Sequence, residues 1–191
     1  MSEPSQPNPS MVSVALGSNL GDRASTLALA IDALARIPLT SLVAASISIE
    51  TAPVGPVEQP AFLNAAALLR TLLTPHSLLA FLHEIERAAG RKRSAETRWG
   101  PRTLDLDIIT FGDQTSATPA LTIPHPRAHE RLFVLEPLAS IAPQLLIPGR
   151  GTVGQLLAVD RGDERTLGAI HELGHGCGRS IERRHLELDV A

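Results

Sequence analysis

Two aspartates, Asp105 and Asp107, lie two positions apart in an alternating run from Leu104 to Phe111. On a β-strand, residues i and i+2 point to the same face, about 6.5 Å apart along the chain. Two carboxylates this close repel each other unless a cation lies between them. Mg²⁺ prefers oxygen ligands and binds through one or two carboxylates together with substrate phosphates. The spacing therefore indicates a magnesium site, and a solvated strand face that merely alternates Asp with apolar residues stays open as the alternative.

A basic stretch directly precedes this pair, and it contains Glu96 as its only acidic residue. Its cations are Arg91, Lys92, Arg93, Arg98 and Arg102. Phosphoryl transfer needs a metal to bridge phosphates and guanidinium groups to take up negative charge. A basic loop alone is more typical of a solvated surface or a nucleic-acid contact. Next to the aspartate pair, it favours a small polyphosphate ligand.

Two further groups are weaker indications. Gly17–Gly21 follows an alternating strand but lacks the lysine of a P-loop, and the sequence contains no complete P-loop motif. Thr51, Phe62 and Asn64 surround a proline-rich loop. An amide can bind the edge of a heterocycle and a phenyl ring can stack on it, although a loop-capping Asn beside a core Phe is the simpler interpretation.

A competing motif lies near the C-terminus, where residues 171–175 read His-Glu-Leu-Gly-His. On a helix, His171 and His175 would bind Zn²⁺ and Glu172 would act as a base. The surrounding glycines disfavour a helix, each by about 1 kcal/mol. A zinc hydrolase is therefore kept only as an alternative, as is a nucleic-acid-binding module without enzymatic activity.

The elements that must position these residues follow from periodicity and end signals. We predict strands at Met11–Leu16, Leu39–Ile49, Asn64–Leu72 and Leu104–Phe111. Helices are expected after Asp22, after Thr74-Pro75, and from about His129 to Ile141. The order predicts an α+β fold, a ferredoxin-like split βαβ arrangement with helices packed on one face of a mainly antiparallel sheet. The other face is left to long active-site loops.

Composition limits the class of protein. The 191 residues carry a net charge of −3 with 43% hydrophobic and 19% charged residues, which is typical of a globular protein that does not bind nucleic acid in general. A single cysteine and the lack of a membrane span or secretion signal lead us to expect a cytoplasmic location. We expect residues 1–10 to be a disordered leader, 11–160 the catalytic domain, and 161–191 a glycine- and charge-rich tail.

Four segments together resemble the 6-hydroxymethyl-7,8-dihydropterin pyrophosphokinase family of folate biosynthesis. They are the segments 15–22, 59–65, 98–108 and 121–126, of which Arg-Trp-Gly-Pro-Arg-Thr-Leu-Asp-Leu-Asp-Ile is the most specific. The resemblance implies a ferredoxin-like fold and transfer of pyrophosphate from ATP to the pterin hydroxymethyl group, with AMP as the other product. It also implies two Mg²⁺ ions and the small-molecule substrates ATP and hydroxymethyl-dihydropterin. We further expect a monomer that binds neither nucleic acid nor membrane.

The same resemblance assigns residues. It implies that Asp105 and Asp107 hold the metal and that Arg91 and Arg102 act with them in catalysis. The pterin-binding residues would be Thr51, Val54, Phe62, Asn64 and Phe133. The nucleotide-binding residues would be Glu86, Arg93, Trp99, Ile108, Thr122, His125 and Arg131.

Overall fold

A computed structural model describes residues 8–54, 56–91 and 100–160. Its main sheet contains β1 (Ser10–Ser18), β2 (Thr40–Ala45), β3 (Ile49–Thr51), β4 (Phe62–Thr71) and β5 (Asp105–Phe111). Two small hairpins add β6 (Ser116–Ala117), β7 (Thr122–Ile123), β8 (Leu146–Ile147) and β9 (Gly151–Thr152). The helices described are α1 (Arg23–Leu34), α2 (Pro75–Ala88), α3 (Leu132–Ile141) and α4 (Val153–Asp160).

The main sheet has the order β2-β4-β1-β5, and β3 also pairs with β4. Every pairing in it is antiparallel. With α1 following β1 and α2 following β4, this is the predicted ferredoxin-like split βαβ arrangement. The predicted fold class is confirmed.

Local signals set the ends of the first two helices. The Asp22 carboxylate accepts the Ser25 N–H at 3.1 Å, and the Thr74 hydroxyl accepts the Ser77 N–H at 3.2 Å. Each side chain satisfies a backbone donor that the first helical turn leaves unpaired. Both predicted helix starts are therefore confirmed.

The predicted strand Leu39–Ile49 is two strands, β2 and β3. A register shift lies between Leu42 and Ala44, and the chain leaves the regular ladder after Ala45. Ser46 keeps contact with β4 through its N–H, which donates to the Ala66 carbonyl at 2.8 Å. Alternation in the sequence carried no sign of this break, because it depends on how β4 lies alongside.

Apolar residues fill both faces of the sheet. One cluster, with Leu34, Leu82 and Leu106 among its members, packs α1 and α2 against the first face. A second cluster around Leu135 and Leu138 packs α3 and α4 near the other face. The expectation of helices on one face only was wrong, since the apolar side of α3 also needs a sheet surface to bury.

A bulge in the pairing of β1 with β5 affects which cluster the side chains of β5 join. The register shifts between Ser13 and Val14, and the Ser13 and Thr110 hydroxyls form a buried hydrogen bond of 2.6 Å there. Ile109 joins the second cluster, while Ile108 and Phe111 stay in the first. The extra residue in β5 changes which face its later side chains meet.

Two expectations about the ends of the chain stay predictions. β1 begins at Ser10, so the last residue of the expected leader pairs with Thr71. Residues 1–7 and 161–191, including the His171–His175 motif, lie outside the described residues. Within the part that is described, no helix is both long and apolar enough to cross a membrane.

Candidate active site

The two aspartates project beside the smallest residues of the neighbouring strand. Gly17 pairs with Asn64 on one side and with Asp105 on the other, and Ala15 pairs with Asp107. A Cβ atom on Gly17 would lie 3.2 Å from the Asn64 Oδ1 atom. The missing side chain therefore leaves room above β1, between the amide and the carboxylate.

That room is part of a cleft of about 640 Å³. Its lining brings together all five residues predicted for the pterin and five of those predicted for catalysis or nucleotide binding. They are Thr51, Val54, Phe62, Asn64 and Phe133, and Arg102, Asp105, Asp107, His125 and Arg131. Residues from four separate parts of the chain thus meet at one end of the sheet.

One end of the cleft combines an amide with aromatic rings. The Asn64 Nδ2 atom donates to the Thr51 hydroxyl at 2.8 Å, which fixes the orientation of this 94%-buried amide between β3 and β4. Phe62 and Phe133 line the same cleft, and the Arg131 guanidinium lies 5.5 Å from the centre of the Phe133 ring. A polar edge beside phenyl rings suits a flat heterocycle.

Both oxygens of Asp105 are bound to arginines. Oδ1 accepts from Arg91 Nη1 at 2.5 Å, and Oδ2 accepts from Arg102 Nη1 at 2.8 Å. The Arg91 side chain is almost buried, whereas Arg102 lines the cleft. The two predicted catalytic arginines therefore converge on one of the two predicted metal ligands.

Glu86 supports the cluster of Asp105, Arg91 and Arg102 from its buried side. Its carboxylate is 1% exposed, accepts the Leu106 N–H at 2.9 Å and binds Arg91 Nη1 at 2.5 Å. It does not line the cleft. Glu86 thus ties α2 to the start of β5 and orients Arg91, and the nucleotide contact expected of it stays a prediction.

Two titratable groups in the cleft are shifted. Burial, with repulsion from Asp105 next, raises the pKa of Asp107 to about 6. Burial, together with the positive charge of Arg131, lowers the pKa of His125 to about 4. His125 is therefore neutral at pH 7, and since its Nδ1 accepts the Arg127 N–H at 3.2 Å, the ring proton lies on Nε2.

The donor set fits a magnesium ion that shares its ligands with a substrate. Asp105 and Asp107 are oxygen donors on one face, and the raised pKa of Asp107 marks a negative charge that its surroundings stabilise poorly. Among the described residues, no group of three or more His, Cys, Asp or Glu side chains could hold a metal ion. Two carboxylates plus phosphates are what Mg²⁺ accepts, in contrast to the larger all-protein cage of a structural metal.

Four predicted residues lie away from the cleft, Glu86 among them, and two cannot be placed. The Ile108 side chain is in the first core cluster, Thr122 is exposed on β7, and Arg91 lies behind Asp105. The nucleotide contact expected of Ile108 stays a prediction. Arg93 and Trp99 lie outside the described residues.

Buried polar atoms without a partner are concentrated beside the site. In the described part of the chain they are Ser18 Oγ, Arg102 Nε and Thr103 Oγ1. Buried donors and acceptors are nearly always paired in native proteins. The Arg102 Nε–H is therefore a buried donor without a protein partner, in a residue that lines the cleft.

Sequence reasoning missed several residues that complete the cleft. Gln59, Arg127 and Glu130 line it, and Asn19 supports it from below. The usable signals were segment 59–65, which contains Gln59, and segment 15–22, which contains Asn19 and its neighbouring glycines. Asn19 binds Gln59, 40 positions away, and Arg102, 83 positions away, and no local pattern predicts such contacts.

Comparisons with known proteins give matches to one family. A family model for 7,8-dihydro-6-hydroxymethylpterin-pyrophosphokinase matches residues 13–143. The chain is 47% identical over 160 residues to the 2-amino-4-hydroxy-6-hydroxymethyldihydropteridine pyrophosphokinase of Pseudomonas aeruginosa, covering 83% of this chain and 98% of that one. The enzyme of the same description from Bacillus subtilis is 46% identical over 132 residues, which is 69% of this chain and 78% of the relative.

A likeness in fold extends to solved structures. The chain resembles the crystal structure of Plasmodium falciparum HPPK-DHPS with a TM-score of 0.62 at 15% identity, over 88% of this chain and 47% of that one. At this identity the likeness bears on the fold alone, and the chain spans about half the length of that protein. From the family model and the curated relatives, the chain belongs to the 7,8-dihydro-6-hydroxymethylpterin-pyrophosphokinase family.

Proposed function

We propose that this chain transfers a pyrophosphoryl group from ATP to the hydroxymethyl group of 6-hydroxymethyl-7,8-dihydropterin, an activity that its relatives' descriptions name. The observation that carries the proposal is the placement of Asp105 and Asp107 in one cleft with two unlike ends. One end combines Asn64 with phenyl rings, and the other combines arginines with a neutral histidine. A pterin and a polyphosphate would meet at the carboxylates.

At the pterin end, hydrogen bonds select the ring edge. With its Nδ2 atom donating to Thr51, Asn64 keeps Oδ1 as an acceptor for an N–H of the heterocycle. Val54 is 58% exposed and supplies apolar surface from the loop after β3. Phe62 and Phe133 would cover the faces of the ring, which excludes water from the hydroxymethyl group.

At the polyphosphate end, the chain supplies fixed donors. Arg102 offers its unpaired Nε, and His125 offers Nε2–H without adding charge. Arg131, whose guanidinium lies 5.5 Å from the centre of the Phe133 ring, also lines the cleft, and Arg91 supports Asp105 from behind. Donors already in position lower the free energy of the charge that develops on the transferred group.

In the proposed reaction, the substrate hydroxyl oxygen forms a bond to the β-phosphorus of ATP. The bond between that phosphorus and the oxygen bridging to the α-phosphorus breaks, AMP leaves with the electron pair, and the hydroxyl proton passes to water. Asp105 and Asp107 would hold Mg²⁺, and we propose two ions. When bound, the metal neutralises phosphate charge and orients the phosphates.

We also propose that the chain acts as a monomer on small molecules alone. The zinc-hydrolase alternative rests on residues 171–175, which fall beyond the 13–143 match to the family model. The nucleic-acid alternative is disfavoured by the net charge of −3. Neither alternative explains why an amide, phenyl rings and paired carboxylates share one cleft.

The test is AMP formation by the purified full-length chain with ATP, Mg²⁺ and 6-hydroxymethyl-7,8-dihydropterin. We expect AMP and the pterin diphosphate in equal amounts. A pterin with a methyl group in place of hydroxymethyl is the control, because it offers no oxygen to accept the transferred group. ADP formation, or AMP formation at the same rate with the methyl control, would contradict the proposal.

A further inference from the structure

Asn19 is a buried polar residue that connects both sides of the cleft without lining it. It is 2% exposed and lies in the turn between β1 and α1. Its Nδ2 atom donates to the Gln59 Oε1 atom at 2.9 Å and to the Pro60 carbonyl at 3.1 Å. Its Oδ1 atom accepts the Arg102 N–H at 2.8 Å. A single amide thus binds the loop before β4 and the segment before β5.

The contact with Arg102 is double. Besides the amide contact, the Asn19 N–H donates to the Arg102 carbonyl at 3.1 Å. Both backbone polar groups of Arg102 are therefore held by one residue. The Arg102 side chain meanwhile binds Asp105 through Nη1 and leaves Nε unpaired. Because its backbone is fixed, Arg102 can exchange the Asp105 carboxylate for a phosphate only by rotating its side chain.

The other contacts reach the loop that supplies the pterin end. Gln59 lines the cleft, and Pro60 lies two residues before Phe62. Arg23 anchors the same loop separately, because its Nη1 atom donates to the Ala61 carbonyl at 2.7 Å and its Nη2 atom pairs with Glu50 at 2.8 Å. Arg23 therefore binds this loop and β3, whereas Asn19 binds both this loop and Arg102.

We propose that Asn19 is a positioning residue for pyrophosphoryl transfer: its amide places the Arg102 guanidinium and the loop at Gln59–Pro60 at a fixed separation. The inference rests on the proposed function. Asparagine suits the task because one short side chain offers both an acceptor and two donors. Aspartate keeps the acceptor for the Arg102 N–H but places a negative charge against the Pro60 carbonyl. Alanine loses the side-chain hydrogen bonds to Arg102 and to the loop at Gln59–Pro60.

The experiment measures kcat and both KM values of full-length variants at saturating Mg²⁺. We expect Asn19→Ala to lower kcat by about tenfold to a hundredfold, since small misplacements of catalytic groups have effects of this size. Asn19→Asp keeps the hydrogen bond to the Arg102 N–H but loses those to the loop at the pterin end. We therefore expect a rise in the KM for the pterin with a smaller change in kcat. Gln59→Ala removes one of the two loop groups that Asn19 binds, so it should change kcat and the pterin KM in the same direction as Asn19→Asp.

A matched control separates positioning from folding. Asp22→Ala removes the cap of α1 three residues along the same turn, so it lowers stability without altering a contact to Arg102. We expect kcat of the folded Asp22→Ala variant to equal that of the wild type. An equal loss of kcat in both variants, in proportion to the unfolded fraction, would overturn the proposal and leave Asn19 a structural residue.

A double-mutant cycle with Arg102→Ala tests the connection itself. If Asn19 acts through Arg102, Asn19→Ala should reduce kcat little further in the Arg102→Ala background. Full additivity of the two losses, or an Asn19→Ala variant with wild-type kcat and KM values, would refute the inference. If Asn19→Ala does not fold, the Asn19→Asp and Gln59→Ala pair decides, and an unchanged pterin KM in both refutes it. A wild-type chain that forms no AMP would instead contradict the proposed function.

Discussion

The two faces of the main sheet use the same strands for different purposes. On the first face, β1 and β5 contribute Val14, Leu16 and Leu106 to a closed apolar core under α1 and α2. On the second face, their alternate residues are Gly17 and Asp105, which are small or charged and border the cleft. Residues one position apart thus serve stability and ligand binding. The free-energy cost of a charged, open surface is therefore offset by the packed apolar surface directly behind it.

Loss of a carboxylate should produce the largest effect. We expect Asp105→Ala and Asp107→Ala each to reduce turnover by about a thousandfold or more, because each removes a ligand for a metal that stabilises phosphate charge. Chemical unfolding without Mg²⁺ should show unchanged or higher stability for Asp107→Ala, since repulsion between the carboxylates is relieved. Asp113→Ala, an exposed carboxylate after the same strand, is the control and should keep wild-type turnover. Near-normal turnover of either site variant would refute the metal assignment.

The other face should respond in the opposite way. Leu106 is 1% exposed and lies between the two aspartates in sequence. We expect Leu106→Ala to lower the free energy of unfolding by about 2–5 kcal/mol through the cavity it creates. The kcat of the molecules that remain folded should change far less than in the aspartate variants. Denaturant unfolding measures the first quantity, and activity below the unfolding transition measures the second.

The pH dependence of stability should sharpen the contrast further. Because the pKa of Asp107 is raised from 3.8 to about 6, the folded chain holds an extra proton between these values and loses stability as pH rises through them. Asp107→Asn removes this titration. In EDTA, we expect its stability advantage over the wild type to grow from near zero at pH 4 to about 1–3 kcal/mol at pH 7.

A control of the opposite sign is available in the same chain. The Ser25 N–H and hydroxyl lower the pKa of the exposed Asp22, so its charge stabilises α1 at neutral pH and this contribution fades in acid. Asp22→Asn should therefore be less stable than the wild type at pH 7, by an amount that shrinks toward pH 3. If Asp107→Asn showed the same sign, burial and repulsion would not be the dominant influences on Asp107.

The smallest effect is expected from filling the space on the cleft face. A Cβ at Gly17 would lie 3.2 Å from Asn64 Oδ1 and 3.7 Å from the Phe62 ring. We expect Gly17→Ala to raise the KM for the pterin by roughly threefold to tenfold, an effect of about 1 kcal/mol, with a small change in kcat. Ala66→Gly, which instead removes a methyl group on the neighbouring strand, serves for comparison. An unchanged pterin KM in Gly17→Ala would mean that the ring binds elsewhere.

Much of this site could be predicted from the sequence, because its parts are local. The i, i+2 spacing of Asp105 and Asp107 places both on one face of any strand, and the structure has that arrangement. The pterin-binding set came from a family resemblance carried by specific motifs, and all of it lines the cleft. The roles of these residues stay predictions until the variants are measured.

What the sequence determined by itself is therefore the alternation of the strands, the caps at Asp22 and Thr74, and the shared face of the aspartates. Each depends on the geometry of a few consecutive residues. Only the tertiary structure decided that α3 covers the second face, that Glu86 lies under Arg91, and that Asn19 joins two loops. These contacts pair groups distant in sequence, and a buried carboxylate or amide takes whichever partner the packed chain brings to it.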